Sequence, residues 1–259
     1  ESAKVNNIIV AIKVSVIVAF IVIVGWYVIQ NIDTLKANWD PFIPEATGEK
    51  GEFGWGGILR AASIVFFAYI GFEAVSTAGQ EAKNPKRDMP IGILGSLAAC
   101  TVLYIAMAAT LTGLLPYTEL GTSKPVATAL ETYPALAWLK HLVEIGAIAG
   151  LSSVILVMLM GQPHIFYAMA KDGVFFKRMA AIHPGWKTPA FAIIASCAWA
   201  ALLAVSGTFE ELLTYVIFVG WAFYALGAAS VFRYRRTAPD APRPFRVPGY
   251  PWTPWLFVG

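Results

Sequence analysis

The chain alternates between long apolar runs and short segments rich in charge, proline or glycine. A membrane-spanning helix needs about twenty consecutive, mostly apolar residues, so runs of roughly this length predict transmembrane helices. The runs lie at residues 8–29, 56–78, 91–115, 142–170, 189–205 and 212–232, and a further run starts at Trp252. We therefore predict an all-α integral membrane protein with about six complete transmembrane helices and the start of a seventh.

The composition excludes a water-soluble globule. Hydrophobic residues make up 58% of the chain and charged residues 14%, with a mean hydropathy of +0.63, whereas soluble domains contain about 25% charged residues. The formal net charge is only +3 and the basic residues form short clusters between apolar runs, which excludes a nucleic-acid-binding surface. Cys100 and Cys197 both lie inside apolar runs, which argues against a disulfide framework or a thiolate metal centre.

The distribution of Lys and Arg predicts which side of the membrane each loop faces, because short cytoplasmic loops carry an excess of these residues. The predicted cytoplasmic loops are 79–90, 171–188 and 233–250, and the predicted external loops are 30–57 and 116–140. The first external segment is acidic and rich in Pro and Gly, which favours a solvated loop. The second contains a helix-compatible run at 126–130, so it is interpreted either as a plain loop or as a lid over an external vestibule.

Few ionisable residues lie inside the predicted spans, where a charge is costly unless it pairs, faces water or serves a function. Lys13 lies in the first span and either extends its ammonium to the headgroups or has a functional role. Glu73 follows Gly71 in the middle of the second span. This pattern indicates either a broken helix that lines a cavity or an intact helix with a packing glycine. In a broken helix, the carbonyls around residues 67–70 would attract an ammonium through the negative end of the helix dipole.

The fourth predicted span contains a run of small residues. Gly146, Gly150, Ser152 and Ser153 permit either simple close packing of helices or contacts through the two hydroxyl groups. The sequence contains no G-x-S-x-G, H-E-x-x-H or P-loop motif, so we predict neither an enzyme nor a cofactor or metal site. Without a Walker motif the chain cannot itself hydrolyse ATP, so uphill transport would need an ion gradient. The predicted class is a secondary transporter.

Three blocks of sequence resemble one family of membrane transporters. Residues 66–73 read FFAYIGFE and residues 81–93 read EAKNPKRDMPIGI, and both resemble the sixth helix and following loop of amino acid–polyamine–organocation (APC) permeases, nearest their cationic amino acid transporter branch. The opening ESAKVNN, leading to Lys13, is similar to the start of helix five, and residues 166–173, FYAMAKDG, are similar to the end of helix eight. His164 departs from this pattern, because relatives often have Arg there.

The resemblance implies a LeuT-like inverted-repeat fold, of which this chain would be a fragment with helices five to ten and the start of eleven. Helices one to four would precede Glu1 and would supply half of the substrate site. The resemblance makes Phe67 the aromatic residue that closes over bound substrate. It makes the backbone carbonyls of Ala68, Tyr69 and Ile70 the acceptors of hydrogen bonds from the substrate ammonium. It makes Gly71 the helix break.

The resemblance also implies coupling residues. Glu73 matches an acid implicated in the response to protons, and Lys13 matches a lysine whose ammonium replaces the sodium ion of sodium-coupled relatives, near Ser152 and Ser153. A fixed cation that loses its proton when desolvated can take the place of a transported cation. Sodium independence follows as an expectation.

The expected partners are an amino acid, protons and the lipid bilayer of an inner or plasma membrane. Only Glu73 and Glu144 are acidic within the predicted spans, and Ile155 lies in a small, partly apolar wall, so small neutral amino acids fit better than Lys or Arg. Three alternatives remain open: an obligate exchanger, a cationic amino acid transporter, and a non-transporting membrane sensor or subunit.

Overall fold

The computed structural model describes residues 2–47, 52–71, 84–243 and 245–258. Within these ranges the chain is helical and has no strand. The α-helices are α1 (Ser2–Gln30), α2 (Ile32–Asn38), α3 (Gly54–Val65), α4 (Pro85–Leu114), α5 (Pro125–Thr132), α6 (Ala137–Lys171), α7 (Ala190–Ser206), α8 (Phe209–Thr237) and α9 (Trp252–Val258). The prediction of an all-α membrane protein is confirmed.

The apolar helices differ in length. The segments long and apolar enough to cross a membrane are Asn7–Gln30, Pro85–Leu114, Pro134–Lys171 and Glu211–Thr237. Gly54–Tyr69 and Ala190–Ser206 are apolar but shorter. The 17 residues of α7 rise about 25 Å, slightly less than the roughly 30 Å of a bilayer core.

Several helices extend beyond the predicted spans, and α4 and α8 do so because their polar flanks also favour helix. In α4, Pro85 occupies the first turn and the Asp88 carboxylate accepts a hydrogen bond from the backbone N–H of Asn84 at 3.1 Å. In α8, Arg235 and Arg236 lie in the last turn, where cations interact favourably with the helix dipole. Parts of the predicted loops 79–90 and 233–250 are therefore helical.

The residues form two compact units, and the first comprises Glu1–Pro44 and Cys100–Leu202. Its buried core lies along one face of α1, where Phe20, Val24 and Val28 recur every fourth residue. These side chains belong to the same cluster as Leu114 at the end of α4 and Leu130 of α5. Burial of this stripe holds the second half of α1 in the unit.

The segment after α1 is more ordered than a solvated loop. It contains α2, which is fastened to the end of α4. The Asn38 side-chain amide donates to the carbonyl of Gly113 at 3.0 Å, and the Trp39 indole N–H donates to Thr112 Oγ1 at 3.1 Å. Residues Ile32–Asn38 of the predicted solvated loop 30–57 form α2. In the predicted loop 116–140, α5 coincides with the helix-compatible run.

The second unit comprises Glu45–Ala99 and Leu203–Gly259. Contacts between aromatic rings connect the end of α3 to α8, and α8 to α9. The Phe66 ring centroid lies 5.0 Å from that of Trp221 and 5.6 Å from that of Tyr224, both on α8. Trp221 stacks in turn on Phe257 of α9 at 6.3 Å. These contacts fix the end of α3 against α8.

Candidate transport site

The helix in the second predicted span ends at Tyr69, because residues 70–71 leave the helical conformation. After α3, residues Phe66–Tyr69 form a single 3₁₀ turn, and Ile70 then becomes extended with φ −61° and ψ 132°. Gly71 has φ 118°, a conformation that only glycine adopts without strain. The alternative of an intact helix through Gly71 is therefore wrong. Glu73 lies outside the described residues.

The short segment before the interruption carries the predicted substrate-binding residues. The backbone N–H of Ile70 donates to the carbonyl of Phe67 at 3.1 Å, which closes the 3₁₀ turn. Phe66 packs on α8, whereas the Phe67 side chain is 36% exposed. Ala68 is exposed, and Tyr69, Ile70 and Gly71 are half-buried. Phe66 is thus held by contacts with α8, whereas Phe67 is accessible. The binding roles remain predictions.

Lys13 lies where α1 and α6 approach closely. A Cβ atom added at Gly146 would lie 2.8 Å from Cγ1 of Val16, and one added at Gly150 would lie 3.8 Å from Cδ of Lys13. The alkyl chain of Lys13 therefore passes beside Gly150, at ordinary van der Waals distance from the position of an added Cβ. Among the described carboxylates, none forms an ion pair with the Lys13 ammonium.

Ser153 belongs to the same face of α6. Gly146, Gly150 and Ser153 recur at spacings of four and three residues, which places them on one stripe of the helix. Ser153 is 3% exposed. The structure thus places Lys13 beside Gly150 of this stripe within the first unit, and the coupling roles of Lys13 and Ser153 remain predictions.

Ser152 and Ile155 lie off this stripe. Successive residues of an α-helix are rotated by roughly 100°, so Ser152 points away from the α1 contact that Ser153 faces. Ser152 is exposed, and Ile155 is 57% exposed. Both belong to the first unit, while Phe67–Gly71 belongs to the second. The assignment of Ile155 to the substrate pocket and of Ser152 to coupling remains a prediction.

A polar cluster that the sequence did not reveal joins α5 to α6. Lys140 forms ion pairs with Glu131 of α5 and with Glu144, whose carboxylate lies 3.7 Å away. His141 Nδ1 lies 3.5 Å from the other oxygen of Glu144. The only available signal was the i,i+4 spacing of Lys140 and Glu144, because the partner on α5 is brought close by the turn Pro134–Leu136. The carboxylate of Glu144 therefore already has Lys140 and His141 as partners at this end of α6.

Tyr133 anchors the same region to the core. Its hydroxyl donates to the carbonyl of Leu114 at 2.9 Å, and its ring meets Tyr27 edge-on at 5.5 Å. Burial raises the pKa of Tyr133, and the negative charge of Glu119 adds to this. A cavity of about 30 Å³ beside these residues is large enough for a water molecule. It is lined by Tyr27, Val28, Asn31, Thr34, Gly113, Leu114 and Tyr133.

Glu131→Gln is expected to loosen α5 at neutral pH but not in acid. The hydrogen bond and positive charge of Lys140 hold the pKa of the Glu131 carboxyl below 4.5. A lowered pKa means that the ion pair stabilises the folded state above the unfolded pKa, and that this contribution disappears as the pH falls through the folded pKa. Hydrogen exchange of the α5 amides should be faster in the variant at pH about 7 and equal to wild type in acid.

The control for this comparison is Asp33→Asn in α2, which also removes one exposed carboxylate. It should leave exchange in α5 unchanged at both pH values. Equal exchange of Glu131→Gln and wild type at neutral pH would contradict a tethering role for the pair. We expect the difference to be small, because Glu131 is exposed and Lys140 is only half-buried, and ion pairs near the surface contribute little.

No group of three His, Cys, Asp or Glu side chains among the described residues is arranged to hold a metal ion. Comparison with known proteins shows the family of the chain. A family model described as amino acid permease matches residues 1–259. The chain belongs to the amino acid permease family. It is accordingly a multi-pass membrane protein of the APC superfamily.

The relatives of this permease chain include bacterial and plant transporters. It is 38% identical to the branched-chain amino acid permease BcaP of Bacillus subtilis over 259 residues, covering 100% of the chain and 52% of the relative. It is 36% identical to the methylthioribose transporter of the same organism over 264 residues, covering 100% of the chain and 53% of the relative. The chain thus spans about half the length of these bacterial relatives.

A plant relative is similar over a shorter stretch. The cationic amino acid transporter 9, chloroplastic, of Arabidopsis thaliana is 39% identical over 184 residues, covering 71% of the chain and 30% of the relative. The predicted resemblance to amino acid permease sequences, including cationic amino acid transporters, is confirmed.

Proposed function

We propose that the protein containing this chain is a proton-coupled, sodium-independent symporter of small neutral amino acids in an inner or plasma membrane. The observation that carries the coupling part of this proposal is the placement of Lys13 beside Gly150 of α6. The ammonium of Lys13 has no carboxylate partner among the described residues. A fixed ammonium at this position would take the place of a transported cation.

The interrupted helix supports an amino acid as substrate. A helix that ends inside a membrane directs its carbonyl groups and the negative end of its dipole toward the gap. In this chain the end of the 3₁₀ turn at Tyr69 and the extended Ile70 would face the substrate ammonium, and Phe67 would cover the bound molecule. The amides that hold the substrate carboxylate would come from helix one, which the resemblance places before this chain.

The position of Glu144 favours a neutral substrate. A cationic side chain needs an acidic partner when it leaves water. Glu144 is already paired with Lys140 and lies beside His141. The printed name of the BcaP relatives, branched-chain amino acid permease, also favours a neutral substrate, whereas the plant relatives named cationic amino acid transporters keep Lys and Arg as the competing candidate.

Uptake of labelled alanine tests this proposal. The complete protein is reconstituted in sodium-free proteoliposomes under an inward proton gradient, with unlabelled leucine or arginine as competitor. We expect accumulation that leucine inhibits and arginine does not. Accumulation only in vesicles preloaded with amino acid would instead identify an exchanger, and inhibition by arginine alone would identify a cationic substrate. Absence of both uptake and exchange would favour a sensor or non-transporting subunit.

Phe67→Ala is expected to raise the apparent KM for the transported amino acid by about tenfold, which corresponds to roughly 1.4 kcal/mol of lost contact energy. The reason is that removal of the ring leaves bound substrate uncovered. Initial uptake rates over a range of substrate concentrations measure this change.

Phe218→Ala in α8 is the matched control for Phe67→Ala, because its ring is 77% exposed and lies outside the interrupted segment. It should leave the apparent KM unchanged. An unchanged KM in Phe67→Ala would contradict the proposed role of Phe67 in covering bound substrate.

A further inference from the structure

The end of α8 carries a dense group of positive charge, which we term the α8 arginine cluster. It consists of Arg233, Arg235, Arg236, Arg243 and Arg246. Asp240 is the only carboxylate in residues 233–250. A bias of basic residues toward the cytoplasm explains why arginines occur here, but it does not explain how they are arranged.

Two of the five arginines fold the segment back onto α8. The Arg243 guanidinium donates to the carbonyls of Pro239 at 2.6 Å and Ala238 at 2.7 Å, just beyond the helix end. The Arg235 guanidinium lies 3.5 Å from the centre of the Tyr250 ring, and this ring also contacts Phe232 at 5.7 Å. Both ends of residues 243–250 are therefore held near the last turns of α8.

The other three arginines point outward. Arg233, Arg236 and Arg246 are exposed, and their guanidinium groups have no ion pair or hydrogen bond within the described ranges. Arg246 is three residues from Arg243 and four from Tyr250. Since an extended residue spans at most about 3.6 Å, Arg246 stays within roughly 15 Å of both anchors. Three unpaired guanidinium groups thus lie around one helix end.

The location of the cluster identifies the chemistry of its partner. Glu211–Thr237 is long and apolar enough to cross a membrane, so its arginine-bearing end lies at the bilayer surface. Tyr234, Trp252 and Trp255, all in the same unit, are 68%, 70% and 61% exposed. Exposed aromatic rings beside basic residues are typical of the membrane–water interface. An arginine guanidinium also fits phosphate oxygens bidentately.

We propose that Arg233, Arg236 and Arg246 bind the phosphate of an anionic phospholipid headgroup, while Arg235 and Arg243 hold the segment in place. This role is independent of which solute the protein transports. It requires that binding depend on both lipid charge and ionic strength, because attraction between exposed charges is screened by salt.

The test compares lipid binding by the complete protein in neutral detergent. Short-chain phosphatidylglycerol and phosphatidylcholine are titrated separately, and binding is followed by tryptophan fluorescence and by the midpoint of thermal unfolding. We expect phosphatidylglycerol to bind about tenfold more tightly, with a preference that decreases as salt is added. Equal affinity for the two lipids would overturn the proposal even without any variant.

Substitutions test whether the lipid binds at the α8 arginine cluster. The combined change Arg233→Gln, Arg236→Gln and Arg246→Gln should remove the preference for phosphatidylglycerol. Arg233→Lys, Arg236→Lys and Arg246→Lys should retain part of it, because the charge remains but the bidentate geometry is lost. The matched control Lys177→Gln, Arg178→Gln and Lys187→Gln removes the same charge from another basic loop and should retain the full preference.

An unchanged preference in the glutamine variant, or an equal loss in the control, would overturn the assignment to this cluster. Inorganic phosphate distinguishes a lipid headgroup from a soluble anion. If phosphate at millimolar concentration raises the unfolding midpoint as much as phosphatidylglycerol and prevents its binding, the cluster is a soluble-anion site and the lipid proposal is wrong. We expect phosphate to do neither.

Discussion

Lys13→Met is expected to abolish proton-driven accumulation of substrate, with a loss of at least about 100-fold in the steady-state gradient at equal proton-motive force. Methionine keeps an unbranched chain beside Gly150 and removes the ammonium, so the packing of α1 on α6 is preserved. If the ammonium replaces a transported cation, its loss separates substrate movement from the proton gradient. Exchange of internal for external substrate should persist. Uptake and counterflow in the same proteoliposomes measure the two activities.

Lys13→Arg makes this test sharper. Arginine keeps the positive charge but does not release its proton at accessible pH. A structural role for the charge predicts that Lys13→Arg remains active, whereas a role in proton exchange predicts that it loses accumulation as Lys13→Met does. Lys36→Met, on the exposed helix α2, is the control and should accumulate substrate as wild type does. Undiminished proton-driven accumulation in Lys13→Met would refute the coupling role.

The main helices could be predicted from the sequence because membrane helices are specified by long apolar runs. Their ends could not, because a polar flank that favours helix continues the helix beyond the apolar run. Residues 85–90 before the third span are an example: Pro85 and Asp88 lie in the first turn of α4, which begins inside the predicted loop 79–90. The helix α2 was missed for a related reason. Its seven residues, IDTLKAN, include four polar ones and form no long apolar run, and the helix is held by a hydrogen bond to α4.

The candidate site was predictable only where the sequence carries a local signal. The interruption at Gly71 had such a signal, since a glycine within an apolar span permits the φ of 118° that the structure has. The contact between Lys13 and Gly150 depends on how two helices pack, and only the family resemblance pointed to it. The pairing of Lys140 with Glu131 depends on the turn that reverses the chain between α5 and α6. Sequence spacing alone does not determine either contact.

Gly146→Ala is expected to destabilise the packing of α1 on α6 by about 1–3 kcal/mol, the usual cost of overpacking a close contact. The new methyl group would lie 2.8, 3.1 and 3.2 Å from Cγ1, Cβ and Cγ2 of Val16. Valine in a helix has one strongly preferred rotamer, so these atoms cannot rotate away and the two helices must separate. The midpoint of thermal unfolding in detergent measures the stability, and proton-driven uptake measures the effect on the neighbouring Lys13.

Gly161→Ala is the matched control, because it makes the same substitution in the same helix at a position where an added Cβ meets no described atom within 4 Å. Since alanine favours helix more than glycine does, the control should be neutral or slightly stabilising. A second test combines Gly146→Ala with Val16→Ala, which removes the two methyl groups that the added Cβ would meet. Recovery of the unfolding midpoint and of proton-driven uptake in the double variant would locate the damage at this contact. If Gly146→Ala and Gly161→Ala have the same unfolding midpoint and the same proton-driven uptake, the prediction is wrong, and the close approach of α1 and α6 does not position Lys13.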